Sequence, residues 1–333
     1  MKIRQVGEFS IVERIIQRAG AGKRSSSLYV PPGDDAFAAA IPRGELIVAT
    51  KDLLIENIHF SCLWATPEQI GYKSMAVNLS DLAAMGACRP LYALIGLGMP
   101  GSAPVSFVDG FYKGMRALSD RYGLTIAGGD TVSTRKDIVI SVSLIGSARK
   151  KHIVRRSGAK PGDILCVSGT FGDSGGGLQV LRHRTKAVSL DEKYLVRKHL
   201  LPRPRLELAA TLAKRLFATS MIDSSDGLAA SVRFICEQSK AGAKVYLERL
   251  PLSRQLRSVA ARSGWFDPVE CCLNGGEDYE LVFTVKPKDL AAVQRLAPDV
   301  TAVGEITAPQ EVNYYHHGII KKIKKTGFEH FKG

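Results

Sequence analysis

Six aspartates occur in glycine-rich or apolar stretches where Lys and Arg are scarce, although the chain carries a net charge of +14. They are Asp35, Asp52, Asp81, Asp130, Asp223 and Asp226. If they converge in the fold, like charges within several ångströms raise one another's pKa values. Magnesium, which prefers oxygen ligands, relieves that repulsion, and magnesium beside glycine-rich backbone indicates nucleotide phosphates. The acids therefore predict a phosphoryl-transfer site, and it is built without a Walker A sequence or the kinase motifs.

One of these acids, Asp81, lies in the run from Val77 to Gly86, which is otherwise apolar or small. A buried carboxylate needs a cation, a hydrogen-bond donor or a charged partner, and no Lys or Arg lies close in sequence. A helix N-cap formed by Ser80 or Asp81 explains the same residues without any chemistry. Taken alone, the run leaves both interpretations open, as turns and caps do for each of the other acids. Their recurrence favours a shared site.

Three glycine-rich stretches could bring backbone amides close to a phosphate. Residues 96–101 match G-x-G-x-x-G, but Pro100 and Pro104 oppose a helix after the last glycine, so we interpret them as a strand exit and a turn. Residues 128–131 place paired glycines before Asp130, which suits a phosphate and its cation. Residues 168–177 precede a predicted helix, which suits either phosphate binding or a flexible turn.

The composition is that of an ordinary globular protein, with 45% hydrophobic and 23% charged residues, and 333 residues leave room for two domains. The positive charge is compatible with nucleic acid, an anionic surface or anionic substrates. Nucleic acid is disfavoured because no basic stripe is interleaved with aromatic residues. The six cysteines form no C-x-x-C pair, and no signal peptide or membrane span is evident. We therefore expect reduced cysteines, a cytoplasmic location and no membrane partner.

Hydrophobic periodicity predicts helices over residues 7–18 and 67–85 and an amphipathic helix from Val108 to Tyr122. A buried strand is predicted over residues 45–50, ending in Thr50, Lys51 and Asp52. Alternation of strands and helices in both halves predicts an α/β or α+β fold with two domains, residues 1–150 and 151–333. Further strands are predicted at residues 90–97, 138–145, 163–167, 281–283, 301–303 and 312–315.

Six ordered motifs resemble the motif series of the thiamine-monophosphate kinase family, within the wider superfamily of aminoimidazole ribonucleotide synthetase. They are Gly33–Ala36, Asn78–Gly86, Gly128–Thr131, Arg156–Asp163, Asp223–Leu228 and Gly275–Glu280. The match runs in order from about Gly7 to Phe331, which is nearly the whole chain.

The resemblance implies ATP-dependent phosphorylation of thiamine monophosphate to thiamine diphosphate, with ATP as co-substrate and several Mg²⁺ ions. It implies an N-terminal domain with a mixed sheet that binds ATP and magnesium and forms a homodimer. The C-terminal α/β domain then completes the substrate and nucleotide site. The implied magnesium ligands are Asp35, Thr50, Lys51, Asp52, Asp81, Asp130, Asp223 and Asp226, of which Asp81 and Asp130 are the catalytic candidates. The implied ATP contacts are Tyr112, Gly129, Asp130, Arg156 and Ser225, and the implied thiamine contacts are His59, Glu277 and Phe328.

Lys51 departs from the family pattern, which usually has Thr or Ser before Asp52. A lysine ammonium cannot ligate a metal. Either its backbone carbonyl serves as the ligand, or one metal site is lost and Lys51 supplies positive charge. No general base is needed, because a phosphate with a second pKa of about 6 is already largely ionised at neutral pH. We expect direct in-line transfer without a phospho-enzyme.

Other enzymes of the superfamily are the first alternative. A selenophosphate synthetase would need a reactive cysteine near the N-terminus, but the first cysteine is Cys62. The hydrogenase-maturation member would need a C-terminal cysteine, and residues 329–333 contain none. Aminoimidazole ribonucleotide synthetase is disfavoured by residues 275–280 and by Phe328. A basic, non-catalytic binding protein is the alternative from another class, and it leaves the acids unexplained.

Overall fold

The structure is a computed structural model that describes residues 1–19, 28–30, 38–184 and 187–323. The chain divides into two compact units, Met1–Leu82 with Cys88–Lys150, and Ala83–Ala87 with Lys151–Gly333. Both units mix helices with strands, which confirms the predicted α/β class. No helix in the described part of the chain has the length and apolar character needed to cross a bilayer.

The first unit is organised around a four-stranded sheet with strand order β3-β6-β4-β5, in which only β4 and β5 are parallel. Its strands are β3 (Leu46–Ile55), β4 (Arg89–Pro100), β5 (Thr125–Thr134) and β6 (Val139–Ala148). A short pair, β1 (Leu28–Val30) and β2 (Ala38–Ala39), precedes it. The helices are α1 (Ile3–Val6), α2 (Glu8–Ala19), α3 (Pro67–Ala84) and α4 (Val105–Tyr122), and the predicted helices over α2, α3 and α4 are confirmed.

Helix α3 is buried on nearly all sides, as its apolar and small residues predict. It lies very close to α4, because a Cβ atom added to Gly71 would be 1.9 Å from Phe111 O, and one added to Gly114 would be 1.8 Å from Glu68 O. Only glycine fits at these two positions. The pair of glycines therefore sets the depth at which α3, and with it Asp81, lies in the unit.

Two predictions for the first unit are wrong in detail. Strand β3 does not end at Thr50 and is not buried throughout, since Leu46 and Ile47 are 47% and 60% exposed. It is an edge strand with one solvent-facing side, and Asp52 lies in its interior. Residues 96–100 continue β4 instead of turning, and residues 128–131 continue β5. Glycine is needed there because a Cβ atom on Gly129 would be 2.0 Å from Ile95 O.

The second unit contains a seven-stranded sheet with strand order β13-β12-β9-β11-β7-β10-β8, in which only β9 and β12 are parallel. Its strands are β7 (Ile164–Ser168), β8 (Ala218–Asp223), β9 (Gly242–Tyr246), β10 (Leu281–Val285), β11 (Val300–Thr307), β12 (Val312–His316) and β13 (Ile319–Lys321). Its helices are α5 (Asp173–Arg184), α6 (Leu190–Leu200), α7 (Leu206–Lys214), α8 (Leu228–Ser239), α9 (Arg254–Ser263), α10 (Pro268–Asn274) and α11 (Leu290–Leu296).

The core of this unit lies where α8 packs on the sheet. Leu228, Val232 and Ile235 are fully buried on α8, at the spacing that the sequence shows. A second cluster joins α5, α6 and α9. The glycine-rich stretch over residues 168–177 is only partly a loop, because Gly175, Gly176 and Gly177 lie inside α5. Strands β8, β9 and β13 have no counterpart among the sequence predictions.

Candidate active site

Thr50, Asp52 and Asp81 come together in the first unit where β3 passes α3. Thr50 and Asp52 are two residues apart on β3, so their side chains leave the same face of the sheet. Thr50 Oγ1 donates a short hydrogen bond to Asp81 Oδ2 on α3. The structure thus joins three of the predicted magnesium ligands.

Asp52 is the electrostatically unusual member of this group. Its Oδ2 atom is buried and has no hydrogen-bond partner among the described residues. Burial, together with the nearby charge of Asp81, raises the pKa of Asp52 to about 7. One turn before Asp81, Asn78 donates from Nδ2 to Ser74 O at 3.1 Å, while its buried Oδ1 has no partner in the described structure. Buried acceptor oxygens without donors fit a hard cation such as Mg²⁺.

A larger metal-binding cluster is not seen in the part of the chain that the structure describes. Within residues 1–19, 28–30, 38–184 and 187–323, no three or more His, Cys, Asp or Glu side chains are grouped so that they could hold a metal ion. Asp35, the first predicted ligand, lies outside the described residues. Asp52 and Asp81 are therefore the two predicted acidic ligands that lie close together in the described part of the chain.

Two further predicted ligands point elsewhere. The side chain of Lys51 is exposed and leaves the face of β3 opposite to that of Thr50 and Asp52. Asp130 pairs in register with Gly96, whereas Asp52 lies in the next row, with Val142 and Ile95. Asp130 and Asp52 therefore leave opposite faces of the sheet, and Asp130 Oδ1 accepts a hydrogen bond from Thr131 N at 2.8 Å.

Tyr112 and His59 are both held by protein contacts. Tyr112 on α4 is 2% exposed and packs edge to face against Phe111, with ring centroids 5.3 Å apart. Burial raises the pKa of the Tyr112 hydroxyl. His59 follows β3 and accepts a hydrogen bond at Nδ1 from Ile55 N, at 3.0 Å. Its carbonyl oxygen accepts from Lys73 Nζ at 3.4 Å.

In the second unit, β8 ends at the buried Asp223, and the turn before α8 carries Ser225 and Asp226. Ser225 Oγ lies 3.3 Å from Asp226 Oδ2, and the buried hydroxyl of Ser224 has no partner among the described residues. The backbone amide of Glu277 donates to Ser225 O at 2.6 Å. Three predicted site residues, Ser225, Asp226 and Glu277, thus lie on two joined turns.

Arg156 is exposed near the start of the second unit, with its guanidinium 5.7 Å from the centroid of the Phe234 ring. An exposed arginine held over an aromatic ring is available to anionic ligands. Phe328, the predicted aromatic contact of thiamine, lies outside the described residues.

Sequence reasoning gave no role to several buried polar residues. Lys73 is 2% exposed on α3. The only feature of the sequence that could have indicated its burial is the position of a lysine within an apolar helix. Glu280 is 3% exposed and pairs with Arg205 through two bonds of 2.5 and 2.7 Å. His199 is 3% exposed near the end of α6. The ion pair between Arg205 and Glu280 spans 75 residues, so no local pattern could predict it.

Comparison with known families matches both units. The N-terminal domain of AIR synthase related proteins matches residues 33–148, and the C-terminal domain of the same class matches residues 160–317. The chain is thus a two-domain protein of the AIR synthase related class.

Similar proteins with assigned names show which family within this class the chain belongs to. The chain is 34% identical to the thiamine-monophosphate kinase of Buchnera aphidicola subsp. Schizaphis graminum, over 98% of this chain and 99% of the relative. The crystal structure of the Stenotrophomonas maltophilia K279a thiamine-monophosphate kinase has a TM-score of 0.82 and 34% identity, over 94% of this chain and 97% of that one. A structure described as AaThiL complexed with AMPPCP and TMP has a TM-score of 0.77 and 32% identity, over 99% of both chains. The chain belongs to the thiamine-monophosphate kinase family.

Proposed function

We propose that the protein transfers the γ-phosphoryl group of ATP to thiamine monophosphate, giving thiamine diphosphate and ADP. The observation that carries this proposal is the end-to-end match to the structure described as a complex with AMPPCP and TMP, which covers 99% of both chains. AMPPCP stands in for ATP. A carbon replaces the oxygen that bridges the β- and γ-phosphorus atoms, so the bond that breaks in phosphoryl transfer is absent. The other curated relatives of the same name support the same assignment.

Magnesium is part of this proposal. Thr50, Asp52 and Asp81 would hold it in the first unit, because they supply a hydroxyl and two carboxylates, one with a buried oxygen that lacks a donor. When bound, the ion supplies positive charge that offsets repulsion between the phosphates. The ligand roles of Asp35, Lys51, Asp130, Asp223 and Asp226 and the contacts of Tyr112, Gly129, Arg156 and Ser225 with ATP remain predictions.

The chain's own residues align the reactants and need not remove a proton. The acceptor phosphate has a second pKa of about 6 and is already largely ionised near neutral pH. Thr50 keeps Asp81 oriented through its hydrogen bond. We therefore propose a direct in-line transfer. A covalent phosphoryl-protein trapped during turnover would contradict it.

A homodimer formed through the first unit is also proposed. The face of the four-stranded sheet opposite to Asp52 carries Ile47, Leu53 and Val132, which are 60%, 50% and 54% exposed. Apolar side chains exposed along a sheet face are typical of an interface. A second copy of this chain would bury them.

A cytoplasmic location completes the proposal. All six cysteines are free, and five of them are buried. Free buried thiols suit a reducing compartment.

An ADP-release assay with Mg²⁺ and ATP tests the function. Thiamine monophosphate, thiamine, selenide and formylglycinamidine ribonucleotide are compared as acceptors. We expect ADP release with thiamine monophosphate, matched by an equimolar amount of thiamine diphosphate. Faster release with selenide or with the ribonucleotide would assign the chain to another activity of the superfamily.

A further inference from the structure

His199 is a buried titratable residue that the proposed function does not use. It lies near the end of α6, is 3% exposed, and its Nδ1 atom lies 3.1 Å from Ser174 Oγ and 3.4 Å from Glu277 Oε2. The side chain of Glu277 is 23% exposed. One carboxylate therefore faces solvent while a buried imidazole contacts one of its oxygens.

The backbone fixes the position of the Glu277 Cα atom but not the position of its carboxylate group. Glu277 and Tyr279 have φ angles of 68° and 50°, in the left-handed region that residues other than glycine rarely adopt. Their amides donate to Ser225 O at 2.6 Å and to Ser224 O at 2.9 Å, which holds the turn in this conformation. The remaining freedom lies in the rotatable bonds of the Glu277 side chain, and His199 contacts its end.

The neighbouring carboxylates have structural roles. Asp278 accepts from the amides of Gly172 and Ser174 at 2.7 and 3.0 Å, at the N-terminus of α5. Glu280 is paired with Arg205 and also accepts from Ser168 Oγ at 2.6 Å. These bonds anchor the segment on both sides of Glu277, which is the residue predicted to contact thiamine.

The glycines of α5 explain how His199 reaches this point. A Cβ atom on Gly177 would lie 2.2 Å from Leu195 O and 3.1 Å from His199 Cβ. A Cβ atom on Gly175 would lie 3.3 Å from Gly275 Cα, in the segment before Glu277. Side chains at these positions would push α6 and the Glu277 segment away from α5. The glycine run therefore serves close packing, which brings His199, Ser174 and Glu277 together.

We infer that His199 is a positioning residue, which holds the Glu277 carboxylate toward the cationic heterocycle of thiamine monophosphate. Carboxylate oxygens only accept hydrogen bonds, so the imidazole proton belongs on Nδ1, where it faces Glu277 Oε2 and Ser174 Oγ. A carboxylate fixed in advance loses less side-chain entropy on binding a cation. This inference rests on the proposed function, because it takes thiamine monophosphate as the substrate.

The test compares His199→Asn with His199→Gln, because the Asn amide falls near the Nδ1 position and the Gln amide does not. We expect His199→Gln to raise the KM for thiamine monophosphate about tenfold, and His199→Asn to raise it less than about threefold. The KM for ATP stays within about twofold of the wild-type value in both. Equal effects of Asn and Gln, or a parallel rise of both KM values, would overturn the inference.

Two more variants separate positioning from folding. Ser174→Ala removes only a hydroxyl and is expected to raise the KM for thiamine monophosphate about threefold, and an unchanged KM would count against the inference. Tyr194→Phe is the matched control, since it removes a 3.1 Å hydrogen bond between α6 and Asp173 without touching Glu277. It should leave both KM values unchanged.

The wild-type protein distinguishes failure of the inference from failure of the proposed function. If it does not phosphorylate thiamine monophosphate, the proposed function is wrong. The contact itself is then decided by the unfolding free energies of His199→Gln, Glu277→Gln and the double variant. Non-additive effects would support the coupling of the two side chains, and additive effects would overturn it.

Discussion

Thr50 and Asp81 are joined by a hydrogen bond that links an edge strand to a buried helix, with Asp52 beside them on the strand. The bond occupies one oxygen of Asp81, while a buried oxygen of Asp52 has no donor among the described residues. Two carboxylates held side by side in this way raise the free energy of the protein without a cation. The predictions for Asp52→Asn and Asp81→Asn rest on this pair of carboxylates.

Asp52→Asn should stabilise the protein at alkaline pH. The folded-state pKa of Asp52 is raised to about 7, so folding holds its proton more tightly and the free energy of unfolding falls as pH rises from about 4 to 7. The full shift corresponds to about 4 kcal/mol, and because the side chain is only partly buried we expect a gain of roughly 2 kcal/mol at about pH 8.

Little gain is expected at about pH 3, where Asp52 is mostly protonated in both states. Urea unfolding without magnesium measures both values. An Asn variant no more stable than wild type at the higher pH would show that the Asp52 carboxylate is not under electrostatic strain.

Lys51→Thr should leave the magnesium dependence of the reaction unchanged. The ammonium group leaves the face of β3 opposite to Thr50 and Asp52, so restoring the family's usual residue adds no ligand beside Asp81. The Mg²⁺ concentration for half-maximal rate should stay within about twofold of wild type. A tenfold shift would mean that Lys51 substitutes for a metal charge.

Leu53→Lys should dissociate the proposed dimer. Leu53 is 50% exposed on the sheet face that carries Ile47 and Val132, and a buried ammonium without a partner is costly at an interface. Sedimentation velocity should show a monomer. Leu63→Lys is the control, because Leu63 is 80% exposed outside that sheet and should leave the assembly unchanged. A Leu53→Lys variant that sediments like wild type would remove this face as the interface.

Gly114→Ala should destabilise the first unit strongly. The added methyl group would lie 1.8 Å from Glu68 O, and backbone cannot move aside without separating α3 from α4. We expect a loss of about 3 kcal/mol or more in unfolding free energy. Gly123→Ala is the comparison, since it has a φ of 67° but nothing within 4 Å, and should cost about 1 kcal/mol. Equal losses in the two variants would contradict a close contact between α3 and α4.

The sequence predicts those parts of the site that a short stretch of residues determines by itself. The apolar run around Asp81 predicts a helix with one unusual carboxylate, and α3 is that helix. The spacing of Leu228, Val232 and Ile235 indicates a helix after the acidic turn that follows Asp223, and α8 is that helix. Both patterns depend on neighbouring residues and need no knowledge of the rest of the fold.

Other features depend on contacts between distant residues and could not be predicted. Strand β3 is one, because a mixed run such as Leu46 to Ile55 reveals its solvent-facing side only once its single neighbour, β6, is known. Glycines are ambiguous for the same reason. Gly129 and Gly177 lie in stretches that suit phosphate binding, yet each is required by a backbone oxygen of another element, Ile95 and Leu195.

The most direct test of the account is thiamine diphosphate formation by Asp81→Asn, with Mg²⁺, ATP and thiamine monophosphate at saturation. Asp120→Asn, an exposed residue paired with Arg116 at 3.1 Å, is the matched control. We predict a fall of about a thousandfold in kcat for Asp81→Asn, with the fold intact and the control at the wild-type rate. A folded Asp81→Asn protein that turns over at the wild-type rate would contradict the role of this carboxylate.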